Sequence, residues 1–266
     1  MSQANAEKQL LAGQVAVVTG STQGIGGGIA VKLAEHGARI LVHGRDSQRA
    51  GGEKIVQAIE AAGSQARLVT GDLRDESHCR SIVRNALSRF GRVDILVNNA
   101  GVSLRGTIED TPTELWDEIF GVNVRAPFIL CQEAVRSMKD RQSGCIVNIG
   151  SVNAYCGIKR LLPYSASKGA LMTFTKNLAN YLTQYRIRVN QINPGWVLTE
   201  GEHQVRSVQE GGGGNWLEEA LKTRPFGRLL SPADIANAAL FFATNELTTG
   251  AVLDYEQTVV GALREV

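Results

Sequence analysis

Val15-Ala-Val-Val-Thr-Gly-Ser-Thr-Gln-Gly-Ile-Gly26 sets a short apolar run directly before a glycine-rich turn, and a helical pattern begins at once behind it. Glycine lets a backbone turn tightly and approach a ligand closely, while the free N–H groups at a helix start attract an anion. Strand, turn and helix in the first unit therefore predict a cradle for a pyrophosphate, formed by Gly20, Ser21, Thr22, Gln23, Gly24, Ile25 and Gly26. The spacing, Gly-x-x-x-Gly-x-Gly, departs from the Gly-x-Gly-x-x-Gly dinucleotide fingerprint, so position carries more of the argument than the glycines themselves. A turn that serves only helix–strand packing is the competing explanation.

Outward from that turn the same rhythm recurs. Further Val- and Ile-rich runs start at Arg39, Ala66, Val93, Cys145, Ile187 and Ala251, which with Val15 predicts seven strands. Between them lie segments long enough for crossover helices, at Ile25–His36, Gln48–Ala62, Ser77–Phe90, Thr113–Lys139 and Ser165–Tyr181. Runs apolar on both sides fit strands buried on both faces, and a β/α alternation implies an α/β fold: one doubly wound, Rossmann-type domain over 1–266 with a seven-stranded parallel sheet and helices on both faces. Residues 1–12 read as an N-terminal extension. The rhythm breaks between Pro194 and Ser231, where Gly211-Gly-Gly-Gly214 is costly to order; the segment 195–230 is expected to be a mobile lid over a substrate.

Composition narrows the function classes. With 43% hydrophobic and 20% charged residues, the chain has the makeup of a packed globular protein and not of a disordered one. Its formal charge is only +2, and no dense Lys/Arg run marks a nucleic-acid or membrane surface, so a small-molecule partner is expected. No apolar stretch approaches the ~18 residues of a membrane helix and no leader pattern opens the chain, which predicts a cytoplasmic protein. The cysteines Cys79, Cys131, Cys145 and Cys156 have no Cys-x-x-Cys spacing and read as reduced thiols. His36, His43, His78 and His203 form no ligand pattern, so no metal is expected.

Two more motifs follow in order, Asn98-Asn-Ala-Gly101 after the fourth strand and Tyr164-Ser-Ala-Ser-Lys168 in a helical pattern. With the first turn they make residues 12–256 resemble the short-chain dehydrogenase/reductase family, whose doubly wound sheet binds a nicotinamide dinucleotide. Tyr164 and Lys168 are four apart, so their side chains share a helix face, and a nearby ammonium is expected to lower the phenol below its ordinary value near ~10. On its own, Tyr-x-x-x-Lys is a common surface pair. The resemblance implies a catalytic set of Asn123, Ser151, Tyr164 and Lys168, and hydride transfer between nicotinamide C4 and an alcohol or ketone carbon. It also implies that Asn99, Ala100, Gly101, Pro194, Gly195, Val197 and Thr199 lie along the dinucleotide and that Asp72 and Leu73 contact its adenine. Asp72 and Ser151 also read as simple caps.

The choice of dinucleotide turns on the end of the second strand. A count of some 20 positions beyond the glycines lands on Asp46, which favours NAD(H). The family's usual carboxylate slot is instead Gly44, and Arg45 beside it suits a 2′-phosphate, which favours NADP(H). Substrate contacts are expected from Ser151, Asn153, Tyr155, Tyr164, Trp196 and His203, and the choice of substrate from Val152, Asn153, Tyr155, Cys156, Ile158 and the lid from Val197 to Phe226, where Glu200, Glu202, His203 and Trp216 among apolar groups point to a small polyol, sugar or sugar acid. His203 also reads as lid packing. Two alternatives stand beside this: a 3-ketoacyl-carrier-protein reductase, with Lys159 and Arg160 meeting an acidic carrier, and a non-catalytic dinucleotide sensor. The family's habit implies a homo-oligomer, tetramer or dimer. Asp254-Tyr-Glu-Gln departs from the family's commoner Asp-Gly-Gly ending, which puts the contacts of the tail in question.

Overall fold

The computed structural model describes residues 9–204, 206 and 215–261. Seven strands form one parallel sheet in the order β3-β2-β1-β4-β5-β6-β7: β1 Val15–Val18, β2 Arg39–Gly44, β3 Ala66–Thr70, β4 Ile95–Asn98, β5 Gly144–Ile149, β6 Ile187–Pro194 and β7 Val252–Tyr255. This is the Rossmann-type arrangement expected from the alternation. The central strands read as continuous apolar runs because both of their faces are covered: Val15–Val18 and Ile95–Asn98 are buried at every position.

One face packs on α1 (Gly24–Glu35) and α9 (Pro232–Thr244), through Ile29, Leu33, Ile235 and Phe242. The other packs on α3 (Glu76–Phe90), α5 (Ala126–Arg141) and α6 (Leu162–Leu182), through Ile82, Leu130, Met138 and Leu182. The helix α2 (Arg49–Ala61) flanks the β2–β3 side. The helix expected over Thr113–Lys139 is divided: α4 (Thr113–Phe120) runs through a π-turn at Gly121–Arg125 into α5. Asn123 sits in that turn.

The chain leaves β1 for β2 and β3, then returns to place β4 on the other side of β1, so the strand order reverses between β1 and β4. Open α/β sheets bind ligands at that switch, outside the carboxyl ends of the strands. After β6 the chain makes its excursion through α7 (Glu200–Gln204) and α8 (Trp216–Lys222). The base of the excursion is closed by Leu198 N–H on the Leu230 carbonyl at 2.7 Å and Leu230 N–H on the Trp196 carbonyl at 3.0 Å. The Gly211–Gly214 tract at the centre of the lid expectation, and most of the 1–12 extension, lie outside the described residues. No helix among the described residues is long and apolar enough to cross a membrane.

Candidate active site

The first turn is shaped by what its glycines leave out. Gly20 and Gly24 have φ of +62° and +56°, and a Cβ at Gly20 would stand 2.8 Å from the Ala100 Cα. A Cβ at Gly26 would collide with the Gly20 carbonyl and the Asn99 amide. Asn99 occupies that space productively: its Nδ2 donates to the carbonyls of Thr19 and Gly20 at 2.9 and 3.0 Å, which ties the end of β4 to the turn. The turn opens α1 with no carboxylate in its first turn and no side-chain cap, so the helix's first N–H groups face outward with an anion's complement of donors.

A cavity of about 390 Å³ lies over this turn, lined by Gly20, Gln23, Gly24, Ile25, Gly26, Arg45, Asp72, Leu73, Asn99, Ala100, Gly101 and Thr199 of the expected set. Its donor set, its tightly apposed glycines and its length along the ends of β1, β2, β3 and β4 fit a dinucleotide. Ser21, Thr22 and Asp46 of the expected set are not among its lining residues. Ser21 Oγ is turned inward, donating to the Val18 carbonyl at 2.6 Å and accepting from His43 N–H at 3.0 Å, so it sews the turn to β2. Thr22 is buried beneath Gly44, where any Cβ would strike its methyl group. Asp46 accepts from Thr70 Oγ1 at 2.6 Å and faces Arg49 at 3.8 Å. Asp72 does line the cavity, with its carboxyl held below its ordinary value by the Arg74 guanidinium, whose Nε and Nη2 donate at 2.8 and 2.6 Å. The cap of α3 is Asp75, which removes capping as an account of Asp72.

A second cavity, of about 460 Å³, adjoins the first and shares Ile25, Asn99, Gly101, Val102, Ser103 and Thr199 with it. Ser151, Asn153, Tyr164, Lys168, Pro194, Gly195, Trp196 and Val197 line it, together with Ile158, Leu161, Glu202, Arg206 and Glu256. Lys168 Nζ stands 5.7 Å from the centre of the Tyr164 ring, so the helix spacing does bring the two together. The direction expected for Tyr164 is corrected: burial pushes its phenol above the ordinary value, and a hydrogen bond with Ser151 pulls only part of the way back. Lys168 is itself buried, donating to the Ile149 carbonyl at 2.8 Å, and burial pulls its ammonium down to about 8. Desolvation is thus the largest influence on both groups, and it acts against the charged form of each.

Asn123 lies just below. Its Nδ2 donates to the Val102 carbonyl at 2.9 Å and to Ser167 Oγ at 3.0 Å, and its Oδ1 accepts from Val102 N–H at 2.9 Å. The π-turn aims this amide at the backbone that lines both cavities, and π-turns concentrate at such places. A Cβ on Gly101 would sit 3.3 Å from Asn123 Oδ1 and 3.4 Å from Lys168 Nζ, so glycine there keeps the approach between them open.

Two expected substrate contacts lie outside the lining of this cavity. Tyr155 is exposed and sends its hydroxyl to the Asp254 carboxylate at 3.1 Å, outside the cavity lining. His203 is exposed and packs edge-on against Trp216, with ring centres 5.5 Å apart, as lid packing would have it. Sequence reasoning missed Glu256, while Glu202 and Arg206 belong to the lid segment expected to choose the substrate. Glu202 takes the Trp196 indole N–H at 2.8 Å and pairs with Arg206 at 2.9 Å. Glu256 accepts from Trp196 N–H at 3.3 Å and faces Arg224 at 3.7 Å. The departure from the family's ending was the signal for Glu256: the altered tail brings that carboxylate into the space a Cβ on Gly195 would take.

The family model for short chain dehydrogenase matches residues 14–210. The chain belongs to that family, and it is an oxidoreductase acting on CH–OH groups through a nicotinamide dinucleotide. Among its relatives is an uncharacterized oxidoreductase of Methylorubrum extorquens, 39% identical over 92% of this chain and 96% of the relative. Among solved structures, a 3-oxoacyl (acyl-carrier-protein) reductase from Agrobacterium tumefaciens with NADP bound superposes with a TM-score of 0.85 at 28% identity, covering 96% of each chain. An NAD+-bound xylitol dehydrogenase gives a TM-score of 0.85 at 26% identity over 93% of this chain and 99% of the other.

Proposed function

We propose that this enzyme interconverts a secondary alcohol and its ketone on a small polyol, sugar or sugar acid, with NADP(H) preferred over NAD(H). The observation that carries the reading is the place of Ser151, Tyr164 and Lys168 in the cavity that adjoins the dinucleotide cradle. The dinucleotide supplies or accepts the hydride when bound. Tyr164 donates a proton to the forming alkoxide in reduction and removes one in oxidation, and Ser151 donates a hydrogen bond to the same oxygen. Lys168, with Asn123 beneath it, supports the proton movement and holds the ribose next to the reacting ring. Gly20, Gln23, Gly24, Ile25 and Gly26 hold the pyrophosphate, Asp72 and Leu73 the adenine, and Pro194, Gly195, Val197 and Thr199 the carboxamide end.

NADP is favoured because Gly44 has no room for a carboxylate, Asp46 is engaged with Thr70, and Arg45 stands in the cavity lining. A polar substrate is favoured because Glu202, Arg206 and Glu256 share the second cavity with Val152, Ile158 and Leu161. Free cysteines, three of them buried, accord with a cytoplasmic home. Exposed Trp116, Phe128 and Tyr181 on α4, α5 and α6 supply apolar surface for the homo-oligomer, a tetramer or dimer.

A second reading, reduction of a carrier-bound 3-ketoacyl group, is favoured by exposed Lys159 and Arg160 immediately before Leu161 of the cavity. A screen of polyols, sugar acids and simple secondary alcohols against both oxidised cofactors, followed by absorbance of the reduced nicotinamide, tests the choice. The expected result is turnover of a polyol or sugar acid and a lower KM for the phosphorylated cofactor. Reduction of a free ketoacyl thioester with no turnover of polyols or sugar acids establishes the second reading, and equal or reversed cofactor KM values discard the Arg45 argument.

A further inference from the structure

Ser151 follows β5 in an extended conformation, φ −170° and ψ 152°, and opens the short helical turn Val152–Ala154. Its Oγ accepts two hydrogen bonds from one residue, from Asn153 N–H at 3.2 Å and from Asn153 Nδ2 at 3.1 Å. A hydroxyl has two acceptor sites and one proton. With both acceptor sites taken, the only capacity left to Ser151 Oγ is to donate. The backbone bond is what any N-cap makes; the side-chain bond is an addition that capping does not require.

The peptide behind Ser151 is fixed as well. Ser151 N–H donates to Asn193 Oδ1 at 3.1 Å, and the same oxygen accepts from Gln191 Nε2 at 2.7 Å. Asn193 Nδ2 in turn donates to Asp254 Oδ1 at 2.9 Å. Asn193 and Gln191 are fully buried in β6, so the serine's main chain is held from below while Asn153 governs its hydroxyl from the side. Tyr164 lines the same cavity, and hydrogen bonding from Ser151 is what draws its phenol down against the rise from burial.

Resting on the reading of Ser151 and Tyr164 as the reacting pair, we propose that Asn153 is a positioning residue whose side-chain amide makes Ser151 a donor only. The consequence is chemical. A carbonyl oxygen receives hydrogen bonds from both Ser151 and Tyr164, and an alcohol oxygen receives one from Ser151 while giving its proton to ionised Tyr164. In neither direction does Ser151 compete for the proton that Tyr164 must handle. Asn153 also lines the cavity, so this role stands beside its expected one as a substrate contact.

The test needs no substrate. Carbon NMR of ring-labelled tyrosine, with the Tyr164 signal assigned by its loss in Tyr164→Phe, follows the ionisation of that phenol. In Asn153→Asp the carboxylate takes the Ser151 proton instead of donating to its oxygen. The Tyr164 titration should then rise by about one unit, tenfold in the equilibrium. The same substitution in a Ser151→Ala background should give little further shift, since the effect passes through Ser151. Lys168, Glu202, Arg206 and Glu256, the charged groups lining this cavity, are unchanged throughout the cycle. Asn153→Leu, uncharged and of similar shape, should shift Tyr164 in the same direction by less, and it carries the cycle if the Asp variant melts out. Equal shifts in both backgrounds mean a direct charge effect and overturn the proposal, as does an unmoved Tyr164. Full turnover by Ser151→Ala and Tyr164→Phe would instead overturn the reading of the site on which the proposal rests.

Discussion

Lys168 is a cation kept out of water, and its cost is measurable. Its ordinary value is 10.5 and burial brings it to about 8, so between those two pH values the unfolded chain binds the proton that the folded chain has lost. Stability from this group therefore rises with pH across that window, and the penalty is fully present below it. The shift corresponds to on the order of 3 kcal/mol at neutral pH. Lys168→Met should be more stable than the parent at pH 7 by roughly that amount in denaturant unfolding, with the gap closing towards pH 10. A gap of zero at pH 7, or one indifferent to pH, contradicts the burial argument. The pairing of Tyr164 with Lys168 was legible from four-residue spacing, since helix geometry fixes which side chains share a face. The sign of the effect on Tyr164 was not, because spacing carries no information on how much water a fold removes. The contact of Tyr155 with Asp254 was not legible either, since the two are 99 residues apart in the chain.

The glycine turn and the π-turn are the two elements that build the site, and the sequence shows them unequally. Glycines between a strand and a helix announce a close approach, and the structure supplies what approaches: the Gly20 carbonyl and the Asn99 amide against Gly26. Gly26→Ala should cost about 1–3 kcal/mol through overpacking. Because the displaced atoms form the cradle, it should also weaken NADPH binding at least tenfold, read by the fluorescence of the reduced cofactor alongside thermal melting. A folded Gly26→Ala protein with parental affinity contradicts the cradle. The π-turn at Asn123 left only the trace of an asparagine inside a helical pattern, because one extra residue in a helical turn barely disturbs apolar periodicity. The helix Pro232–Thr244 escaped periodicity altogether: with Ile235, Ala236, Ala238, Ala239, Phe242 and Ala243 buried against β5, β6 and α1, it is apolar nearly all round. Its start was nevertheless written in Ser231 and Asp234, which form a reciprocal capping box.

At the scale of the molecule, strand order and helix placement were legible because alternating buried runs and crossover helices admit few arrangements. The junction between tail and lid was not, since Glu256, Trp196, Arg224 and Glu202 meet only after β6, β7 and the excursion have been set side by side. What the architecture achieves is two adjoining cavities, one over the glycine turn and the other lined by the Tyr164 phenol with Ser151 and Lys168. Turnover by Tyr164→Phe, compared with the parent on whichever alcohol the cofactor screen identifies and with cofactor binding measured in parallel, tests that arrangement. Loss of a positioned proton donor should lower kcat by ~10²-fold or more while cofactor affinity stays near the parent's. Turnover within about threefold of the parent would contradict Tyr164 as the proton donor at any magnitude general acid–base catalysis allows.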